Sequence, residues 1–196
     1  MATRTSQILV VVTAFVAGLV IFLGVILYAT GQFGGPAGSA IGGPFKLTSA
    51  AGRPISNATF SGKPYLVFFG YTHCPDICPT TLFELSQVME ALGKDADRTA
   101  ALFITVDPER DTAPVMKDYL SNFDSHLHGA TGDLKTIEKV EKEFRVYAKK
   151  VPTKDGDYSM DHSAVIYLFD KQGRFVAPFN LKRKPAESAA ALRKYM

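Results

Sequence analysis

Two short stretches of this chain, YLVFFG at Tyr65 to Gly70 and ALFITV at Ala101 to Val106, are apolar from end to end. A strand with one face in water alternates polar and apolar residues. A strand without alternation has to be covered on both sides, and the usual cover is the helices of a sheet with parallel crossovers. The surrounding residues fit that arrangement. FKLTSAAGRPIS reads as a hairpin with its turn at Gly52 to Pro54. Leu82, Leu85, Met89 and Leu92 recur at helical spacing and stop at Gly93. A second helix is marked by Val115, Tyr119 and Leu120, and a third by Leu134, Ile137, Val140 and Phe144. AVIYLFD turns through KQG into RFVAPF as a second hairpin, and residues 186–196 read as a closing helix. This order of elements predicts an α/β fold with a mixed sheet flanked by helices.

Ahead of that domain lies a different kind of segment. Residues 8–29, ILVVVTAFVAGLVIFLGVILYA, contain no charge. As a helix they rise roughly 33 Å, enough to cross a hydrocarbon core of about 30 Å, whereas the apolar part of a secretory signal runs only about 7–15 residues. Arg4 precedes the segment, and residues 30–45 carry no charge, so the positive-inside rule keeps the N-terminus in the cytoplasm. The expected organisation is a cytoplasmic N-terminus and transmembrane anchor over 1–30, a flexible Gly/Pro linker over 31–44 and a periplasmic domain over 45–196. Seven residues before the anchor are too few for a mitochondrial presequence, which points to a bacterial inner membrane. A net charge of +3 without a basic stripe argues against nucleic-acid binding, and there is no glycine-rich phosphate loop.

The chemistry is concentrated in YTHCPDICPT, which follows the first buried strand and holds both cysteines of the chain, Cys74 and Cys78. Cysteines placed where a central strand hands over to a helix are the thioredoxin arrangement. With a helix starting near Cys74 and Pro75 in its first turn, the thiols lie at i and i+4, with Cα atoms about 6 Å apart. That spacing accepts a disulfide and also lets both sulfurs converge on one ion. A redox couple, two-thirds of a metal site and a buried pair therefore all stay open. The helix N-terminus favours thiolate in either active case. Four histidines compete for the role of third ligand. His73 neighbours Cys74 but points away, His126 and His128 alternate in HLHGA as a possible separate pair, and His162 stands just before the AVIYLFD strand. Asp76 reads as a helix cap between the thiols, and Asp111 or Thr112 as the cap of the helix after DPERDT.

Taken together, VFFGYTHCPDICPTTL, ITVDPERDT and DHSAVIYLFD resemble, in that order, the Sco/SenC family of membrane-anchored copper chaperones. The resemblance spans about residues 45–195 and implies a thioredoxin-like domain. It also implies one copper ion per chain, held by Cys74, Cys78 and His162. Beside such a site Asp161 is a candidate fourth ligand for Cu(II) but is better read as orienting the His162 ring, and Asp76 could tune the cysteines as well as cap the helix. The implied role is a metallochaperone rather than an enzyme, helping to assemble the binuclear copper centre of cytochrome c oxidase. Its partners would be the copper-bearing oxidase subunit and another periplasmic copper chaperone or thiol reductant. The alternative role is a thiol–disulfide oxidoreductase, with Cys74 and Cys78 as the redox pair that reduces the oxidase cysteines.

Overall fold

The computed structural model describes residues 12–25 and 41–196. Residues 12–25 form a helix (α1) with every side chain exposed. Among the described residues no helix is long and apolar enough to cross a membrane. Both ends of the predicted anchor, the residues before it and the linker as far as residue 40 lie outside the described residues.

The domain is built on a seven-stranded mixed sheet. Its centre is β3 (Tyr65–Gly70) and β4 (Ala100–Thr105), which pair in parallel and are buried at every position, as unbroken apolar runs require. β5 (Leu127–Thr131) continues the parallel set beyond β4. Antiparallel β8 (Ile166–Phe169) joins the other side of β3 and carries β9 (Phe175–Pro178) at the edge. On the far edge β1 (Lys46–Ser49) pairs with β5, and β2 (Pro54–Ser56) pairs with β1. Gly52 has φ +73° in the turn between them, a conformation that costs glycine little.

The helices are α2 (Ile77–Leu92), α3 (Ala113–Leu120), α4 (Leu134–Phe144) and α5 (Pro185–Arg193). On one face of the sheet Phe144 of α4 packs against Phe69, Tyr167 and Phe169, with ring centroids 5.2–6.2 Å apart. On the other, Phe68 and Phe103 stack at 5.9 Å and Phe103 meets Tyr119 of α3. Leu82, Leu85, Met89 and Leu92 of α2 are buried as their spacing predicts, and the helix ends at Gly93 with φ +57°.

Four details differ from expectation. Helix α3 buries Met116 and Leu120, an i, i+4 pair, whereas Val115 is exposed, so the inward stripe lies one residue over. Leu134 is exposed at the start of α4. The last residues assigned to the linker are tied to the domain: Gly42 N–H donates to the Glu143 carbonyl at 2.8 Å, and Asn57 Nδ2 to the Gly43 carbonyl at 3.0 Å. Finally, β6 (Ala148–Pro152) and β7 (Tyr158–His162) form an antiparallel pair of their own, outside the main sheet. β6 is mostly exposed and β7 mostly half-buried, with no fully buried position in either, so the pair carries no hydrophobic signature.

Candidate metal centre

The cysteine loop begins where β3 ends. Cys74 N–H closes a turn onto the Tyr71 carbonyl at 3.3 Å, and Asp76, at φ −142°, stays outside the helical range. Helix α2 therefore starts at Ile77, and Cys74 and Pro75 precede it rather than forming its first turn. Asp76 occupies the cap position without a side-chain cap hydrogen bond. Cys78, in the first turn, is completely buried, while Cys74 is half-buried. Cys78 N–H points at Cys74 Sγ, 3.4 Å away, so a backbone donor at the helix start faces the outer sulfur. Both thiols are free. Burial pushes the Cys78 thiol up, because a thiolate without a counterion is costly there.

Room for the Cys78 sulfur depends on Gly70. A Cβ at that position would lie 2.6 Å from Cys78 Sγ and 2.7 Å from Phe103 Cε2. The glycine is needed for space, not for an unusual backbone angle.

His162 reaches the same place from 84 residues along the chain. It is the last residue of β7, paired with Ala148 of β6. Its Nε2 is 3.7 Å from Cys78 Sγ, and its Nδ1 is 3.1 Å from the Ser163 carbonyl. With Nδ1–H donating to that carbonyl, the Nε2 lone pair faces the sulfurs, a common way of fixing the tautomer of a metal-binding histidine. Burial lowers the proton affinity of the ring, more than the Ser163 carbonyl and Asp161 restore, which favours neutral imidazole. Tyr71 stands edge-on to it at 5.8 Å and Phe68 at 6.5 Å. The Asp161 side chain is exposed, and the Ser163 carbonyl occupies the orienting position expected of it. Met160 is half-buried and packs on the core.

Cys74, Cys78 and His162 thus bring three ligand atoms within 4.8 Å of one another. The remaining histidines lie elsewhere. The His73 side chain is 51% exposed and its Nδ1 is 3.1 Å from Thr72 Oγ1. His128 is exposed beside Phe60, and His126 sits between Asp124 Oδ1 at 2.7 Å and Asp97 Oδ1 at 3.2 Å. Burial alone would lower the pKa of His126, but these two carboxylates raise it. A raised histidine stabilises the fold fully below its unfolded pKa of about 6.5, and that contribution disappears as pH rises through the folded value. His126→Gln is therefore expected to cost a few tenths of a kcal/mol at about pH 6 and less at about pH 8, as read by urea unfolding at the two pH values.

DPERDT does more than turn the chain and cap a helix. Asp111 is not the cap of α3: Thr112 holds that position, and Asp111 is fully buried. Its carboxylate accepts from Thr72 N–H at 3.0 Å, from Thr72 Oγ1 at 2.6 Å and from Thr105 Oγ1 at 2.7 Å, fastening the cysteine loop to the end of β4. Asp107, also buried, accepts from the Tyr158 hydroxyl of β7 at 2.9 Å and pairs with Arg110. The clue was positional, since loops following neighbouring parallel strands emerge at the same sheet edge.

A parallel-cored mixed sheet with paired cysteines at the start of α2 defines a thioredoxin-like fold, here combined with a two-sulfur, one-imidazole cluster. The SCO1/SenC family profile matches residues 34–196, and the chain belongs to that family. It is 40% identical over 157 residues to the mitochondrial SCO2 homolog of Danio rerio, covering 79% of this chain but only 56% of that protein. It is 38% identical over 149 residues to a SCO2-like protein of Rickettsia felis, covering 75% and 73% of the two chains. Copper-bound ScoI of Bradyrhizobium japonicum superposes with a TM-score of 0.78 at 63% identity, over 80% of this chain and 100% of that one. Copper-bound yeast Sco1 does so with a TM-score of 0.72 at 33% identity, over 80% and 88%.

Proposed function

We propose that this chain is a copper metallochaperone that loads the binuclear copper centre of cytochrome c oxidase. Its cargo is one copper ion, held by Cys74 Sγ, Cys78 Sγ and His162 Nε2. The observation that carries this reading is the convergence of those three atoms within 4.8 Å. Two thiolates with a neutral imidazole are a donor set suited to copper, and Cu(I) is content with three ligands. Relatives of the same fold, at 63% and 33% identity, hold copper. Cys74, the half-buried sulfur, is the ligand a recipient reaches first, while Cys78 and His162 keep hold from within. Ligand exchange with the copper-bearing oxidase subunit then moves the ion without releasing it to water. An anchor over residues 8–29, with the domain in the periplasm, places the site beside a membrane oxidase and beside the periplasmic chaperone or thiol reductant that supplies it. The arrangement of the sulfurs also suits a thiol–disulfide reductase. Cys74 would attack a disulfide of the oxidase and Cys78 would resolve the mixed disulfide, giving up two electrons and two protons as the pair closes.

The test is titration of the purified full chain with Cu(II), followed by thiolate-to-copper charge-transfer absorption. One equivalent is expected to develop the band, and Cys78→Ser to abolish it. His162→Ala is expected to weaken Cu(I) binding at least about tenfold, or about 1.4 kcal/mol. Unchanged affinity in that variant would rule out the three-ligand site. A variant that loses copper yet still supports full oxidase assembly would favour the reductase. Loading is also expected to strengthen as pH rises, because the Cys78 thiol must give up its proton and His162 must stay neutral. A pH-independent affinity would contradict binding through these groups.

A further inference from the structure

The third ligand sits on a two-stranded sheet that shares no strand pairing with the main sheet. Such a pair is marginal by itself, so its place over the cysteines has to be imposed from outside. Met160 and Ala148 pack on the core and Lys150 pairs with Glu109, but the contacts nearest the His162 ring converge on one side chain. Arg110, on the loop after β4, pairs through Nε with the buried Asp107 carboxylate and donates from a terminal nitrogen to the Tyr158 carbonyl at 3.0 Å. Its guanidinium lies 3.8 Å from the centre of the Tyr158 ring and 5.8 Å from that of Tyr71. The Tyr158 hydroxyl returns to Asp107 at 2.9 Å, closing the ring of contacts. Tyr71, on the other side of the guanidinium, is the residue whose ring stands edge-on to His162.

We propose that Arg110 is a positioning residue for His162: clasped between Asp107, Tyr158 and Tyr71, it sets the β6–β7 pair in register with the cysteine loop. This rests on His162 being a copper ligand, as proposed above. Guanidinium suits the task because it bonds in its own plane and stacks on aromatic faces at the same time, which lysine cannot do. The partition within one loop is clear. Asp111 holds the two-sulfur half of the site through Thr72, and Asp107 with Arg110 holds the imidazole half through Tyr158.

The test is a double-mutant cycle on the full chain, read as Cu(I) affinity in competition with a chromogenic chelator, with amide hydrogen exchange of the metal-free protein alongside. Arg110→Gln is expected to weaken Cu(I) binding about tenfold, the usual cost of losing a support behind a metal ligand. It is also expected to speed exchange at Ser159 and Asp161, whose amides face β6 in the ladder, while leaving Leu66 and Phe103 unchanged. In a His162→Ala background the same substitution is expected to cost less than about twofold more, because its effect runs through that ring. A full additional loss in that background overturns the proposal, and so does unchanged exchange in β7. Tyr158→Phe, which removes only a hydroxyl, is expected to shift both readouts in the same direction by less, and decides the matter if Arg110→Gln does not fold. If the wild-type chain takes up no copper, the metal reading fails, while the exchange experiment still tests the clasp.

Discussion

Asp111→Ala is expected to lower stability by about 3 kcal/mol or more, which in a domain of this size is a fall in Tm of about 6–12 °C. The buried carboxylate satisfies Thr72 N–H, the Thr72 hydroxyl and the Thr105 hydroxyl together. Alanine leaves all three without that acceptor, the Thr105 hydroxyl in a fully buried place and the Thr72 donors in a half-buried one. Each orphaned buried donor costs about 1–3 kcal/mol, with incomplete additivity. Asparagine is milder. Its amide oxygen can take the bonds now made by Oδ2, while its NH₂ faces the Thr72 hydroxyl, which can rotate to accept. The expected order of Tm is wild type, then Asp111→Asn, then Asp111→Ala. Equal melting of wild type and Asp111→Ala would show that the carboxylate does not secure the cysteine loop.

Gly70→Ala is the second large effect, and it acts by volume. The new methyl falls 2.6 Å from Cys78 Sγ and 2.7 Å from Phe103 Cε2, and both of those residues are buried and packed. Overpacking of this kind costs about 1–3 kcal/mol. Strain relieved by moving the sulfur displaces a proposed copper ligand, so charge-transfer absorption should weaken together with the urea midpoint. Wild-type values of both would mean that the backbone shifts to admit the methyl.

How much of this was legible depended on how locally each feature is encoded. The two central strands announced themselves because burial on both faces forces unbroken apolar runs, and α2 did so because Leu82, Leu85, Met89 and Leu92 repeat with the helical period. The positions of Cys74 and Cys78 followed from those two elements. The start of α2 did not, since Pro75 fits a first helical turn as well as the turn that precedes it. Asp111 resembled a cap because Asp is a common cap residue, and only packing reveals that its partners lie on a neighbouring loop. The β6–β7 pair was invisible for a different reason: strands with no fully buried position have no apolar alternation, and contacts such as that of Tyr158 with Arg110 join residues far apart in sequence.

That last pair of strands separates two properties that most binding sites entangle. The sulfur-bearing half of the centre grows out of the buried β3–α2 junction, so changes there are felt by the whole fold. The imidazole-bearing half stands on strands that contribute little to the core, where substitutions can adjust how firmly an ion is held, or how quickly it is surrendered, with melting nearly unchanged. Relatives with different recipients could therefore diverge in release kinetics through β6, β7 and the loop joining them while retaining a common scaffold. A set of substitutions along that hairpin should spread widely in copper off-rate and narrowly in Tm.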